Sequence, residues 1–164
     1  SDLHTDTKAY EDSYIPKGDD YFTEDSVLED TDFFADVTVL SARLDSDSAH
    51  YTLRINSLVS KTGEESKTNI TIESSTPYIM QENREYFIPL RKENGTYSMA
   101  LENAPQIEIS LDGDIVFQNG WESLDDDSGI LKDSQKSKND YFYDRMRYSS
   151  KNDLQDLLAK WRTM

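Results

Sequence analysis

Residues 33–59 read FFADVTVLSARL (33–44), DSDSAH (45–50) and YTLRINSLV (51–59). The first run is long and rich in β-branched residues. In the third, Tyr51, Leu53, Ile55, Ser57 and Val59 alternate with Thr52, Arg54, Asn56 and Leu58, the period of a strand with one largely polar face. The Asp and Ser residues between the two runs favour a turn, because their side chains bond their own backbone. A strand, a turn and a strand follow.

The same pattern continues outward. Residues 61–66 form the next turn, and Asn69 to Glu73 alternate as a short strand. Glu85 to Leu90 is another strand, whose Pro89 implies an edge position or a strand end. Asn94-Gly95 marks a hairpin, after which Tyr97, Met99 and Leu101 alternate. Ile107, Ile109 and Leu111 alternate up to Asp112-Gly113, a two-residue hairpin signal, and Ile115 and Phe117 alternate beyond it. Roughly seven strands across residues 33–121 suit a small barrel or a sandwich. The expected fold is mainly β: an OB-like barrel or β-sandwich, with an Ig-like sandwich as the alternative.

The chain has 164 residues and a net charge of −16. Residues 1–32 hold 11 acids and 2 bases and few aliphatics, which predicts an acidic, partly ordered arm. Residues 33–121 form the β domain, and 122–140 a polar linker or loop. Residues 141–164 form an aromatic segment and a C-terminal helix packing on the β domain. In that helix Ser150-Lys-Asn-Asp153 has the form of a helix start. Leu154, Leu157, Leu158 and Trp161 fall at i, i+3, i+4 and i+7, one apolar stripe. The stripe docks on its own sheet or serves as a partner-binding face.

Composition excludes several chemistries. No cysteine is present, so disulfides, thiol catalysis and Cys-ligated metals are ruled out. The acidic balance argues against nucleic acid and against anionic membranes. No run of 18 apolar residues predicts a bilayer span. The two histidines, His4 and His50, leave little for His-based catalysis, and no nucleophile-elbow, phosphate-loop, dinucleotide or zinc-protease motif occurs. The reading is therefore not an enzyme, with no cofactor. The best cation candidate is the cluster Asp125, Asp126, Asp127 and Asp133, with Gly129 to bend the loop for calcium, ahead of Asp45 and Asp47 in the first turn. Its spacing is not that of an EF-hand, since Lys136 stands where the twelfth ligand would be.

One resemblance runs from Ala35 to Leu90. The order ADVTVLSARL, YTLRINSLVSKTG, NITIESS and NREYFIPL resembles the netrin-like OB modules. Asn83 stands where those modules often have Gly, and their disulfide cysteines are missing here. The resemblance implies an OB-type barrel. The protease inhibition known among related modules rests on cysteine-anchored segments and does not carry over.

The chain opens at Ser1-Asp2 without an initiator methionine, and 39 residues are Ser, Thr or Asn. This suits an extracytoplasmic, cell-surface domain, membrane-anchored in the full-length protein, with a cytoplasmic setting as the alternative. The expected function is a non-catalytic binding or sensing domain of a bacterial cell-envelope protein. Its partner is a protein or an envelope ligand, with no nucleic acid and no membrane insertion by this chain. The rivals are a cation- or ligand-binding accessory domain of an envelope enzyme, and a structural subunit docking through its C-terminal helix.

Overall fold

A computed structural model describes residues 24–45, 48–74, 79–100, 106–119 and 151–164. They form α1 (Glu24–Asp30), β1 (Phe33–Leu44), β2 (Ala49–Ser60), β3 (Asn69–Ser74), β4 (Glu85–Glu93), β5 (Thr96–Met99), β6 (Gln106–Ile109), β7 (Ile115–Asn119) and α2 (Lys151–Arg162). The fold is mainly β with a C-terminal helix. The strand order is β3-β2-β1-β4-β6-β7, with β5 also paired to β4, and every pair is antiparallel.

Strand β4 decides the shape. One of its edges pairs with β1 over Glu85–Leu90. The other is shared: Glu85–Phe87 pair with β6, and Leu90–Glu93 pair with β5. The β6–β7 hairpin therefore extends the sheet, while β5 curls away to lie against β3. Register shifts put one extra residue in β2, Asn56, and one in β1, Leu40, and such bulges raise the local twist.

This arrangement corrects the edge expectation for Pro89, since β4 is an interior strand. The Leu90 carbonyl accepts from Asp32 N–H on the β1 side (2.8 Å), and the Pro89 carbonyl accepts from Ala100 N–H on the other (3.0 Å). Successive residues point their backbone groups to opposite edges, so the missing N–H of Pro89 faces the break between β6 and β5. The β1 ladder is therefore untouched, and β5 ends at Met99 beside the proline.

The two faces of the sheet bury two cores. Phe33, Ala35, Val37 and Val39 of β1 point inward with Tyr51, Leu53, Ile70, Ile72, Tyr86, Ile88, Leu90, Tyr97 and Met99. Phe34, Val59, Phe87, Ile107 and Ile109 point outward and are covered by Val27 and Leu28 of α1 and by α2. Phe33 and Phe34 are thus both buried, on opposite faces, which is why the start of β1 reads as continuous apolar sequence rather than alternation.

The inner core is closed by the connection between β3 and β4. Ile79 and Met80 are 1% and 0% exposed. A buried loop must bond its amides. Here Met80 N–H donates to Tyr51 Oη (3.0 Å), and Gln81 N–H donates to Tyr86 Oη (2.7 Å).

The turn chemistry follows its residues, with one correction. Asn94 and Gly95 both have positive φ (51° and 80°), the signature of the tight two-residue hairpin. Asp112-Gly113 does not form such a turn. Ser110 and Asp114 close a three-residue loop, Ser110 N–H donating to Asp114 O at 2.8 Å, with Gly113 at φ 85°. Leu111 consequently leaves the strand and stands fully exposed at the tip. Asn83 also has positive φ (65°), a conformation Asn tolerates better than other non-glycine residues.

The acidic lead segment is partly domain. Residues 24–32 carry α1, with Val27 and Leu28 fully buried, so the folded unit includes residues before 33. Residues 1–23, the 122–140 linker and the aromatic segment 141–150 lie outside the described residues.

Asp30, at the end of α1, is the electrostatic weak point of this junction. Burial pushes its carboxyl above the usual value, and Arg91, at 3.7 Å, only partly offsets this, with Asp32 and Glu93 adding to the rise. Its Oδ2 is buried with no hydrogen-bond partner. A raised folded-state value means the native protein binds the proton more tightly than the unfolded chain. The destabilisation is therefore present at neutral pH and relieved as pH falls through the carboxylate range. Asp30→Asn is expected to raise the urea midpoint at pH 7 relative to the parent. That advantage shrinks as the parent carboxyl protonates, and a midpoint unchanged or lowered at pH 7 sinks the argument.

Candidate functional site

The helices cover only part of the outer sheet face. Beyond Phe34, the next outward residues of β1 are Asp36 and Thr38. Beside them on β2 stand Arg54, Asn56 and Ser57. A bulge places Asn56 between paired residues, since Ser57 faces Asp36 and Ile55 faces Val37. From there its amide donates to Thr38 Oγ1 (3.0 Å) and Asp36 Oδ1 (3.2 Å), while Arg54 Nη2 reaches Thr38 Oγ1 at 3.4 Å.

These side chains form one wall of an open groove of about 880 Å³. The opposite wall is Asn83, Arg84 and Glu85 at the start of β4, with Glu108, Ile109, Ser110 and Leu111 of the β6–β7 hairpin. Glu108 is the unusual member. Its side chain is only 6% exposed, yet it is ionisable, and its Oε1 accepts from Arg84 Nη1 at 2.9 Å. Arg84 itself is 56% exposed. Glu108 pairs with inward-facing Tyr86, so this ion pair lies on the side of β6 opposite Ile107 and Ile109, at the edge of the groove. Removing the guanidinium would break a nearly buried ion pair, which is a costly change.

A second polar cluster surrounds His50. Its Nε2 bonds Asp45 Oδ2 and lies 3.3 Å from Ser48 Oγ, while its Nδ1 is 3.9 Å from Glu73 Oε2. Ser48, His50 and Glu73 thus stand in the order of a nucleophile, a base and an orienting acid. Asp45 occupies the nitrogen that would take the serine proton, so in this arrangement the ring does not activate Ser48. The Asp45 carboxyl is held below its usual value by the His50 hydrogen bond first, with Arg43 adding to the effect. Its contribution is present at neutral pH and lost as pH falls through the lowered value.

The residues singled out in the sequence fall differently. Asp125, Asp126, Asp127 and Asp133 lie outside the described residues. Among the described residues, no group of three or more His, Asp or Glu side chains gathers as a metal centre. Leu154, Leu157, Leu158 and Trp161 are 2%, 4%, 9% and 0% exposed against the outer sheet face. Use of the stripe as a partner-binding face would require stripping it from that core. Arg84 and Glu108 escaped the sequence reading. Glu108 alternates with Ile107 and Ile109, and alternation alone marks it as solvent-facing.

The fold and groove define a mainly β domain with one helix-covered face and an adjoining open groove. No family model and no curated protein matches the chain. Among the described residues no helix is long and apolar enough to cross a membrane.

Proposed function

We propose that this chain is a non-catalytic binding domain of a bacterial cell-envelope protein, extracytoplasmic and membrane-tethered in its full-length form. Its β1–β5 portion is an OB-like barrel, a reading supported by β1 pairing with both β2 and β4 and by β5 lying against β3. The observation that carries the binding reading is the groove. It is concave, it is lined by hydrogen-bonding groups, and it stands on strands locked by a core on each side. Rigid elements of this kind hold a recognition surface with little ordering on binding. The Ser/Thr/Asn-rich composition supports the extracytoplasmic setting.

The test is a displayed-peptide selection on the immobilised protein, with each enriched clone re-measured on Asn56→Ala and Arg54→Ala. Both residues are exposed, so folding stability stays within about 0.5 kcal/mol of the parent. Enriched clones are expected to lose affinity for both variants. Clones that bind parent and variants alike place recognition elsewhere and overturn the groove as the site.

A further inference from the structure

We infer that the groove takes a carboxylate carried by an extended peptide segment, and that Arg54 is its anchor. This rests on the groove being the binding site. Arg54 stands out by what it lacks. Each other described arginine is matched: Arg43 with Asp45 at 2.8 Å, Arg84 with Glu108 at 2.9 Å, Arg91 with Glu93 at 3.2 Å, and Arg162 with the Ser60 and Gly63 carbonyls. Among the described residues Arg54 reaches only Thr38 Oγ1, at 3.4 Å, and pairs with no carboxylate. Its neighbours on that face are uncharged: Thr38 and Asn69 across the ladders, Thr52 and Asn56 along its own strand. Asp36 on the same wall accepts from Asn56, and neither it nor Glu85 pairs with Arg54. The chain holds 33 acids against 17 bases, so a guanidinium kept clear of carboxylates is the exception. Its forked N–H donors are open to a carboxylate from outside.

The groups beside Arg54 suit the backbone of such a segment. Thr38 Oγ1 accepts from both Asn56 and Arg54, so its own proton has no acceptor among the described residues. Asn56 directs its amide N–H groups to Thr38 and Asp36, which leaves its carbonyl oxygen without a donor among them. An O–H donor thus stands beside a C=O acceptor. An extended residue turns its own C=O and N–H to one side, the complementary pair. The net charge of −16 repels anions at a distance, so the fit favours a single carboxylate on an otherwise uncharged segment over a run of acids.

The test uses four tripeptides. Acetyl-Ala-Glu-Ala-amide carries a side-chain carboxylate and acetyl-Ala-Gln-Ala with a free C-terminus carries a terminal one. Acetyl-Ala-Gln-Ala-amide and acetyl-Ala-Lys-Ala-amide carry none. Each is titrated into the full chain while the backbone amide shifts of Asn56 and Ser57 are followed, with the Arg54 Nε–H in the parent. At least one carboxylate peptide is expected to shift these signals, and the tighter of the two tells whether a side chain or a chain end is read. The other two peptides are expected to leave them unmoved. Arg54→Gln should weaken carboxylate binding about tenfold or more, as loss of a bidentate charged contact does. Arg54→Lys keeps the charge without the fork and should retain only part of the affinity. Thr38→Val should weaken binding severalfold while leaving the preference for a carboxylate. Thermal melts of the variants confirm folding before titration. Equal shifts from the Gln amide, preference for the Lys peptide, or unchanged carboxylate binding in folded Arg54→Gln overturns the anchor assignment while leaving the groove as a site. Absence of shifts with any of the four overturns it as well. Whether the groove binds anything is then decided by the peptide selection alone.

Discussion

Trp161→Ala is expected to lower the free energy of unfolding by about 3–5 kcal/mol, read as a reduced urea midpoint at unchanged slope. Trp161 is fully buried, its ring meets Phe34 edge-on at 4.9 Å, and its indole N–H donates to Thr31 O at 3.2 Å. Phe34 in turn stacks on Phe87 at 5.0 Å, so one truncation loosens α2, β1 and β4 together. Beside the buried Leu154, Leu157 and Leu158, the polar contacts of α2 include exposed ones: Arg162 to the Ser60 and Gly63 carbonyls, and Lys160 to Asp25 at 3.0 Å. Exposed pairs of this kind contribute little. Because a domain of this size is stable by only about 5–15 kcal/mol, the variant stands near the edge of folding. Trp161→Phe keeps an aromatic ring and loses the hydrogen bond, so it should fall between the two. A loss under about 1 kcal/mol for the alanine variant, together with lost self-association or partner capture, means that α2 works on another molecule and is not docked here.

The double variant Tyr51→Phe, Tyr86→Phe is the second large effect. Each hydroxyl accepts from an amide of the buried β3–β4 connection, Tyr51 from Met80 and Tyr86 from Gln81. Removing an acceptor leaves a buried N–H without a partner, at a cost of about 1–3 kcal/mol each. Both rings stay in place, so the change tests the hydrogen bond and not the packing. The two amides are consecutive. Once one is unbonded the connection shifts, and the second loss is expected to be smaller than the first. Amide hydrogen exchange at Met80 and Gln81 should speed up in the double variant more than exchange in β1. Stability within about 0.5 kcal/mol of the parent indicates that water or another group serves these amides, and that the hydroxyls do not seal this end of the inner core.

The elements that could be read from the chain are those whose cause is local. Period-two alternation in Tyr51–Ile55 and in Asn69–Glu73, the Asn94-Gly95 turn, and the i, i+3, i+4, i+7 stripe of Leu154 to Trp161 each state their own geometry, whereas the bulge at Asn56 reverses the expected faces beyond it, sending Leu58 to the inner core and Val59 to the outer. These are enough for a mainly β domain with a C-terminal helix. They also point to a stripe needing cover, because a helix of this length is marginal alone in water.

What covers what is a property of the whole fold. Val27 and Leu28 look like two aliphatics in an acidic arm until the outer face of Phe34 and Phe87 is built beneath them. Pro89 looks like an edge signal because its missing donor is legible, whereas the gap between β5 and β6 that receives it is not. Ile79 and Met80 carry no periodicity, and only the closing of β5 against β3 gives them an interior to enter. The groove is the extreme case. Asp36, Asn56, Arg84 and Glu108 come from four separate parts of the chain, and each alone reads as an ordinary solvent-facing polar residue. Alternation says which side of a strand a residue is on. Only the packing of one strand beside another decides whether that side meets water, a core or, at Glu108, a single guanidinium.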